Sequence, residues 1–390
     1  MSKTPDVVII GGGVIGCSIA YRLAQDGIPA LLLEKGSLGS GASGRCGAMI
    51  WSNWLDTAED GLLHLGLATA KLFSELEQEL GTDLEYTREN VLKLSPSEDS
   101  EHYRGEIANL QRYYGVQPQY LRPEDIKKLA PYLDVDHFPV SGAYHVHGQP
   151  ANASANPFLT VHALAGEAGR LGAEIRAHTE VTGISVKGGR LDGVTTTHGS
   201  VPCRTVVNAA GAWSSDVARL AGIKIPTMPY RENALVTEAL EPLPCFPEYP
   251  TFWGRQTRSG QIILGEEEIP PQEPGYDTAA RLDFLTRMSS TMQRLMPRLG
   301  LVNILRQWGG VEDVTPDELP ILGRVEEIEG LILACGCHGY GFSLSQAMGK
   351  AVADIICERQ SFAVVEQLNL SRFGPEFRKY PSRWYGSTVE

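Results

Sequence analysis

Asp6-Val7-Val8-Ile9-Ile10-Gly11-Gly12-Gly13-Val14-Ile15-Gly16, continued by Cys17-Ser18-Ile19-Ala20-Tyr21-Arg22-Leu23-Ala24, decides the fold. A short apolar run, a glycine cluster and a stretch with helical apolar spacing predict strand, tight turn and helix. Gly11 permits the turn, Gly13 lets backbone approach a pyrophosphate, and Gly16 lets the helix pack on the strand. The helix N-terminus then faces the anion. Gly27-Ile28-Pro29 ends the helix and Ala30 to Leu33 forms a second strand. Glu34 closes that strand at the distance, about 20 residues past the glycines, where an acid accepts hydrogen bonds from a ribose. An acid there favours a free 2′-hydroxyl over a 2′-phosphate, which selects NAD or the adenosine half of FAD over NADP.

The next stretch separates FAD from NAD. Gly39-Ser40-Gly41-Ala42-Ser43-Gly44-Arg45-Cys46-Gly47-Ala48-Met49-Ile50 exposes backbone N–H groups behind small side chains, which suits a nest around a pyrophosphate and a flavin edge. A flexible Gly/Ser linker is the plainer alternative, and the position directly after Glu34 argues against it. The same grammar returns near the C-terminus. Leu331 to Ala334 reads as a buried strand, Gly336 to Gly341 as a turn, and Phe342 to Ile356 as a helix with small residues on one face. That helix N-terminus can stabilise negative charge on the pyrimidine end of a reduced flavin.

Composition sets the outer bounds. With 390 residues, 42% of them hydrophobic and 21% charged, the chain fits two connected globular domains. The net charge of -13 and the lack of long Lys/Arg runs argue against nucleic acid as a partner. No stretch approaches the roughly 20 apolar residues of a membrane span. Seven scattered cysteines do not form a secreted disulfide framework, and the expected location is the cytoplasm. Cys335-Gly336-Cys337-His338 hints at metal, yet further ligands at suitable spacing are not evident, and no metal site is expected.

Three later segments extend the pattern: Val206-Val207-Asn208-Ala209-Ala210-Gly211-Ala212-Trp213, Thr315-Pro316-Asp317-Glu318-Leu319-Pro320-Ile321-Leu322-Gly323, and His338-Gly339-Tyr340-Gly341-Phe342. In this order, after the two N-terminal motifs, they resemble the D-amino-acid-oxidase-like FAD-dependent oxidoreductases of the glycine and sarcosine oxidase type. The resemblance covers nearly the whole chain. Gly44-Arg45-Cys46-Gly47, Trp51-Ser52-Asn53-Trp54 and Arg255-Gln256-Thr257-Arg258-Ser259-Gly260 resemble the catalytic beta subunits of heteromeric members. Those include sarcosine oxidase beta, L-proline dehydrogenase beta, opine oxidase and hydrogen cyanide synthase. Cys46 departs from the asparagine many relatives carry. Cys335 and Cys337 fall where some monomeric sarcosine oxidases attach flavin covalently, but the surroundings differ and a non-covalent FAD is expected.

The resemblance implies an α/β chain, α+β overall. A Rossmann-like FAD-binding domain is assembled from 1–55, 146–215 and 311–390, beside a discontinuous substrate domain, built on an antiparallel sheet, from 56–145 and 216–310. Within these, the sequence predicts helices over Leu62 to Leu80, near 100–114 and over 154–172. It predicts a meander around Gly188-Gly189 and His198-Gly199, and strands Asn233 to Glu238 and Gln261 to Gly265. FAD contacts are expected from Gly11, Gly13, Val14, Ile15, Gly16, Glu34, Lys35, Ala42, Ser43, Gly44, Arg45, Cys46, Gly47 and Ala48. Later contacts are expected from Val181, Ala210, Gly211, Trp213, Gly339, Gly341, Phe342 and Ser343. Val181, near the adenine by that analogy, is equally readable as a core valine.

The implied chemistry is oxidation of an amine or amino acid to an imine, with hydride passing from the C–H beside nitrogen to flavin N5. Such a reaction needs orientation and no dedicated side-chain base. No Ser/His/Asp or paired-carboxylate signature stands out in the sequence. A substrate carboxylate would call for a planar, bidentate arginine. Arg255 ranks first, ahead of Arg45, Arg231 and Arg306, although a surface ion pair is the commoner fate of an arginine. Tyr340, Trp308, Trp54 and Trp51 are candidate walls or core residues, and His338 a candidate proton acceptor or packing residue. Three roles stay open. One is a dehydrogenase subunit passing electrons to partner subunits with FMN or an iron-sulfur centre. Another is a stand-alone oxidase making peroxide, and the third a non-catalytic flavin subunit for assembly or electron relay.

Overall fold

The computed structural model describes residues 5–51, 60–97, 108, 111–112, 115, 117–147, 152–266 and 275–374. Ser52, Asn53 and Trp54 lie outside the described residues, as does most of the helix expected near 100–114. Val7–Ile10 is completely buried and sits inside a six-stranded sheet, flanked by Thr205–Asn208 and Ala30–Leu33. Glu174–Arg176 extends one edge. Leu331–Cys335 and then Ile321–Arg324 extend the other, and only the last strand runs antiparallel. These strands are continuous apolar runs because both faces are covered. Helices Val14–Gln25, Pro157–Arg170 and Gly341–Ile356 pack on one another over one face. The opposite face carries the meander Val181–Lys187, Arg190–Thr196 and Gly199–Val201 together with the short helix Ser214–Leu220.

Gly11 and Gly16 make the first turn possible. Gly11 has a φ of 115°, and a Cβ there would lie 2.3 Å from the Ala209 carbonyl oxygen; at Gly16 it would lie 1.9 Å from that of Gly11. Strand, turn and helix therefore meet backbone to backbone, which only glycine allows.

A second region is built on the antiparallel sheet Phe252–Gln256, Gln261–Glu266, Met228–Ala239 and Ile304–Val314, in that order. Another four-stranded sheet, Phe246–Glu248, Asn90–Ser95, Gly142–His147 and Gln119–Leu121, shares an apolar core with it and with helix Leu282–Leu295. Expected strands Asn233 to Glu238 and Gln261 to Gly265 fall within observed ones. The helix expected over Leu62 to Leu80 runs Asp60–Leu80.

Candidate active site

The Val14–Gln25 helix starts at Gly13, whose missing side chain leaves no cap of its own. The cap comes from the glycine-rich stretch. Ser43 Oγ accepts a 2.9 Å hydrogen bond from the Val14 N–H, and Gly39 donates its N–H to the Gly12 carbonyl at 2.9 Å. That stretch is thereby an ordered wall beside the helix N-terminus. Its own tight fold needs Gly44, where a Cβ would meet the Gly39 carbonyl at 2.4 Å. Glu34 points back at the turn: one carboxylate oxygen accepts from the Gly12 N–H and the other from the Gly36 N–H, each at 2.7 Å.

These groups border a cavity of about 530 Å³, ample for a buried small-molecule site. It reaches from Glu34, Lys35 and Val181 past Gly11, Gly13, Val14 and Ile15 to Gly339, Gly341 and Phe342. Ala42, Ser43, Arg45, Cys46, Ala210, Gly211 and Trp213 line it as well. At the Glu34 end, the Lys35 ammonium lies 3.6 Å from the centroid of the Trp213 ring, which stacks on Tyr276 at 5.3 Å. Burial lowers the Lys35 pKa against the pull of Glu180, Glu34 and Asp216.

Other expected contacts stand behind this wall. Gly16 serves strand–helix packing, and Ala48, with a φ of 53°, accepts from the Ala155 N–H. Gly47 leaves room for the Trp253 indole, which a Cβ would approach to 2.6 Å. Ser343 ties the C-terminal helix to the glycine-rich stretch, donating to the Met49 carbonyl at 2.9 Å and accepting from the Trp51 N–H at 3.1 Å.

The expected catalytic residues are not brought to the cavity wall. Buried Arg255 uses its guanidinium on protein: Nε donates to the Gly47 carbonyl at 2.5 Å, Nη2 to that of Ala155 at 3.2 Å, and Nη1 to Ser154 Oγ at 3.4 Å. It lines a separate cavity of about 400 Å³ with Arg88, Glu89 and Arg258. Arg231 is paired with Asp277 at 2.7 Å, and Arg306 is exposed near the Trp308 ring. Arg45 does line the main cavity, anchored by Nη1 on the Gly309 carbonyl at 3.0 Å, and Trp308 supports it by donating to the Arg45 carbonyl at 2.7 Å. His338 is buried with a φ of 49°, its ring 6.4 Å from that of Tyr340, which precedes the C-terminal helix.

The carboxyls at this end are the groups sequence reading missed. Asp313 is buried and accepts from the N–H groups of Gly336 and, at 3.3 Å, Cys337; burial pushes its pKa up to about 6. It holds the turn that launches the C-terminal helix. Glu232 and Glu312 also line the cavity, on neighbouring strands, with Trp253 Nε1 donating to Glu232 at 2.5 Å; burial, then the Glu312 charge, holds Glu232 above the usual carboxylate range. Two carboxyls that no sequence signature marked thus lie on one cavity wall. Register across two distant strands puts them there, and only the strand alternation at 230–232 and 310–312 carried a signal.

Cys335 and Cys337 are free, buried thiols whose pKa burial raises further. Among the described residues no group of three or more His, Cys, Asp or Glu could hold a metal ion, and no helix is long and apolar enough to cross a membrane.

Two helix N-termini on one cavity wall, a glycine-lined path between them and an acid at the far end fit a flavin dinucleotide: Glu34 toward the ribose, Gly11 to Val14 and Ser43 toward the pyrophosphate, Gly341 and Phe342 toward the ring. The family comparison agrees. Residues 6–355 match the family described as DAO, FAD dependent oxidoreductase, and the chain belongs to it. It is an FAD-dependent oxidoreductase. It is 31% identical to a sarcosine oxidase subunit beta from an Arthrobacter species over 386 residues, covering 95% of this chain and 91% of that one. L-Proline dehydrogenase from P. horikoshii superposes with a TM-score of 0.85 at 29% identity, covering 96% of this chain and 98% of that one. Glycine oxidase from Geobacillus kaustophilus gives 0.85 at 25% identity, covering 94% and 98%.

Proposed function

We propose that this oxidoreductase oxidises an amine or amino acid of the sarcosine, proline, hydroxyproline, glycine or opine type to an imine, as the catalytic subunit of a heteromeric dehydrogenase. The observation carrying this reading is the single cavity that joins the Glu34 end to the carboxyl-lined end beneath the Gly341–Ile356 helix. A dinucleotide and a small substrate can meet there. Similarity to amine- and amino-acid-oxidising relatives supports the substrate class, and similarity to a sarcosine oxidase beta subunit supports partner subunits. FMN or an iron-sulfur centre would then belong to those partners.

Bound FAD would supply the hydride acceptor. The chain's own tasks are to position the amine, to exclude water and to take its proton. Burial of Cys335 and Cys337 in strand and turn supports a non-covalent cofactor. Strands drawn from the start, middle and end of the chain into one sheet support the division into an FAD unit (1–55, 146–215, 311–390) and a substrate unit (56–145, 216–310). A cytoplasmic location belongs to the same reading.

The test is anaerobic mixing of the purified, FAD-loaded chain with a panel of amino acids, N-methyl amino acids and opines, following flavin absorbance. Bleaching by one class supports the reading; a flavin that none of them bleaches would sink it. Similarity to glycine oxidase favours a second reading, direct reduction of dioxygen. Prompt recolouring in air with peroxide release would select it.

A further inference from the structure

We propose that residues 275–281 clasp the adenosine end of the cavity and that Tyr276 is the positioning residue that keeps Trp213 and Lys35 in its wall. The inference starts from FAD binding, the property of the family, and holds whichever amine is oxidised. Lys35, Trp213 and Asp216 line the Glu34 end of the cavity, near Val181. Lys35 and Tyr276 are exposed and Trp213 is half-buried, so these side chains form a rim that solvent reaches.

Tyr276 reaches that rim from the other half of the fold. Residues 275–281 run just ahead of helix Leu282–Leu295 and lie along Ile304–Val314, the edge strand of the antiparallel sheet. The Gly275 N–H donates to the Pro229 carbonyl at 3.1 Å, and the Thr278 carbonyl accepts from the Gly309 N–H at 3.2 Å. Buried Arg231 holds Asp277 at 2.7 Å, and the Gln307 side-chain amide donates to the Arg281 carbonyl at 2.7 Å. A Cβ at Gly309 would sit 3.1 Å from the Thr278 Cα, so the segment lies tight against the strand. These attachments on both sides of Tyr276 fix where its ring can lie.

The ring stacks on Trp213, with centroids 5.3 Å apart and planes within 9° of each other, and its hydroxyl donates to Asp216 at 2.6 Å. Asp216 is also paired with Arg219, which holds the acceptor on helix Ser214–Leu220. Burial, then the hydrogen bond to Asp216, raises the Tyr276 pKa, so the hydroxyl stays a donor at neutral pH. An indole on a wetted rim changes rotamer within nanoseconds; the stack keeps this one, and the Lys35 ammonium 3.6 Å from its centroid, in the wall. The same segment acts farther along the cavity. Gly309, pinned through its N–H to Thr278, accepts from Arg45 Nη1 at 3.0 Å through its carbonyl. A clasp of this kind acts chiefly on release of the dinucleotide.

The test compares wild type with Tyr276→Ala and the ring-retaining Tyr276→Phe. FAD-loaded protein is diluted below its dissociation constant and the rise of free FAD fluorescence is timed. Apoprotein is titrated by calorimetry with ADP, which carries adenosine and pyrophosphate but no flavin ring. Tyr276→Ala should release FAD about three- to tenfold faster, the range an aromatic pair supplies, and bind ADP more weakly by a similar factor. Tyr276→Phe should stay within about twofold of wild type, because the stack survives. Wild-type release and ADP affinity in Tyr276→Ala would overturn the proposal. Faster release with unchanged ADP affinity would overturn it too, since the effect would then lie at the flavin end. If the alanine variant fails to fold, Tyr276→Leu, apolar but without a ring, is held to the same outcomes. Neither readout needs a substrate, so a failure of the amine-oxidation reading leaves this test standing.

Discussion

The Glu34 carboxylate bridges the Gly12 and Gly36 N–H groups at 2.7 Å each, tying the end of the second strand to the glycine turn. The acid read as a ribose ligand thus also fixes the turn that faces the pyrophosphate. Hydrogen bonds to charged groups contribute about 1.5–3 kcal/mol each, and neutral Gln has a single acceptor oxygen for the two N–H groups. Glu34→Gln should weaken FAD affinity roughly ten- to a hundredfold. Quenching of FAD fluorescence on titrating apoprotein measures it. An affinity equal to wild type would show that Glu34 serves neither ribose nor turn.

Gly16 offers a harsher test. Its missing Cβ would lie 1.9 Å from the Gly11 carbonyl oxygen, a backbone atom that cannot swing aside. Overpacking ordinarily costs about 1–3 kcal/mol, and here the helix must lift off the strand. Gly16→Ala should purify colourless, with the 450 nm flavin band lost relative to protein absorbance, while Gly166→Ala, where a Cβ meets nothing within 4 Å, should keep its flavin.

What could be read in advance follows contact range. The first strand, turn and helix, and the matching C-terminal unit, were legible because glycine spacing and apolar period are local. The Val181–Val201 meander was legible because its turns carry Gly188-Gly189 and Gly199. Arg255 and the Glu232–Glu312 pair were not, because sheet register decides which way a strand residue points and a one-residue change reverses it. Arg255 pairs with Ile263, and its side chain enters the seam between Gly47 and Ala155 instead of the main cavity.

That placement predicts the behaviour of Arg255 variants. Its guanidinium is almost fully buried, lies near Glu89 and joins the glycine-rich stretch to strand Asn152–Ser154 and the following Ala155. Removing one partner of a buried charged network costs about 3–5 kcal/mol. Arg255→Ala should therefore lower the thermal midpoint by several degrees or fail to fold. Arg255→Lys, which keeps the charge but cannot span three acceptors, should lower it less. In the lysine variant KM for the substrate should stay within about twofold of wild type, since no uniform binding interaction is lost. A large rise in KM with an unchanged midpoint would return Arg255 to the role of substrate anchor.

Asp313 couples stability to pH. Its carboxyl titrates at about 6 in the folded protein against an ordinary value of 3.8, because burial outweighs the N–H groups of Gly336 and Cys337 that favour the charged form. The folded state therefore binds a proton more tightly than the unfolded chain. The stabilisation this gives is complete below about pH 3.8 and is lost as pH rises through about 6. The difference between the two values corresponds to about 3 kcal/mol. Asp313→Asn cannot titrate, so its change in unfolding free energy between pH 4 and 7 should differ from that of wild type by about that amount, wild type losing more as pH rises. Denaturant unfolding of both proteins at the two pH values measures it. Parallel curves for the two proteins would mean that Asp313 stays ionised throughout, stabilised by the turn it holds.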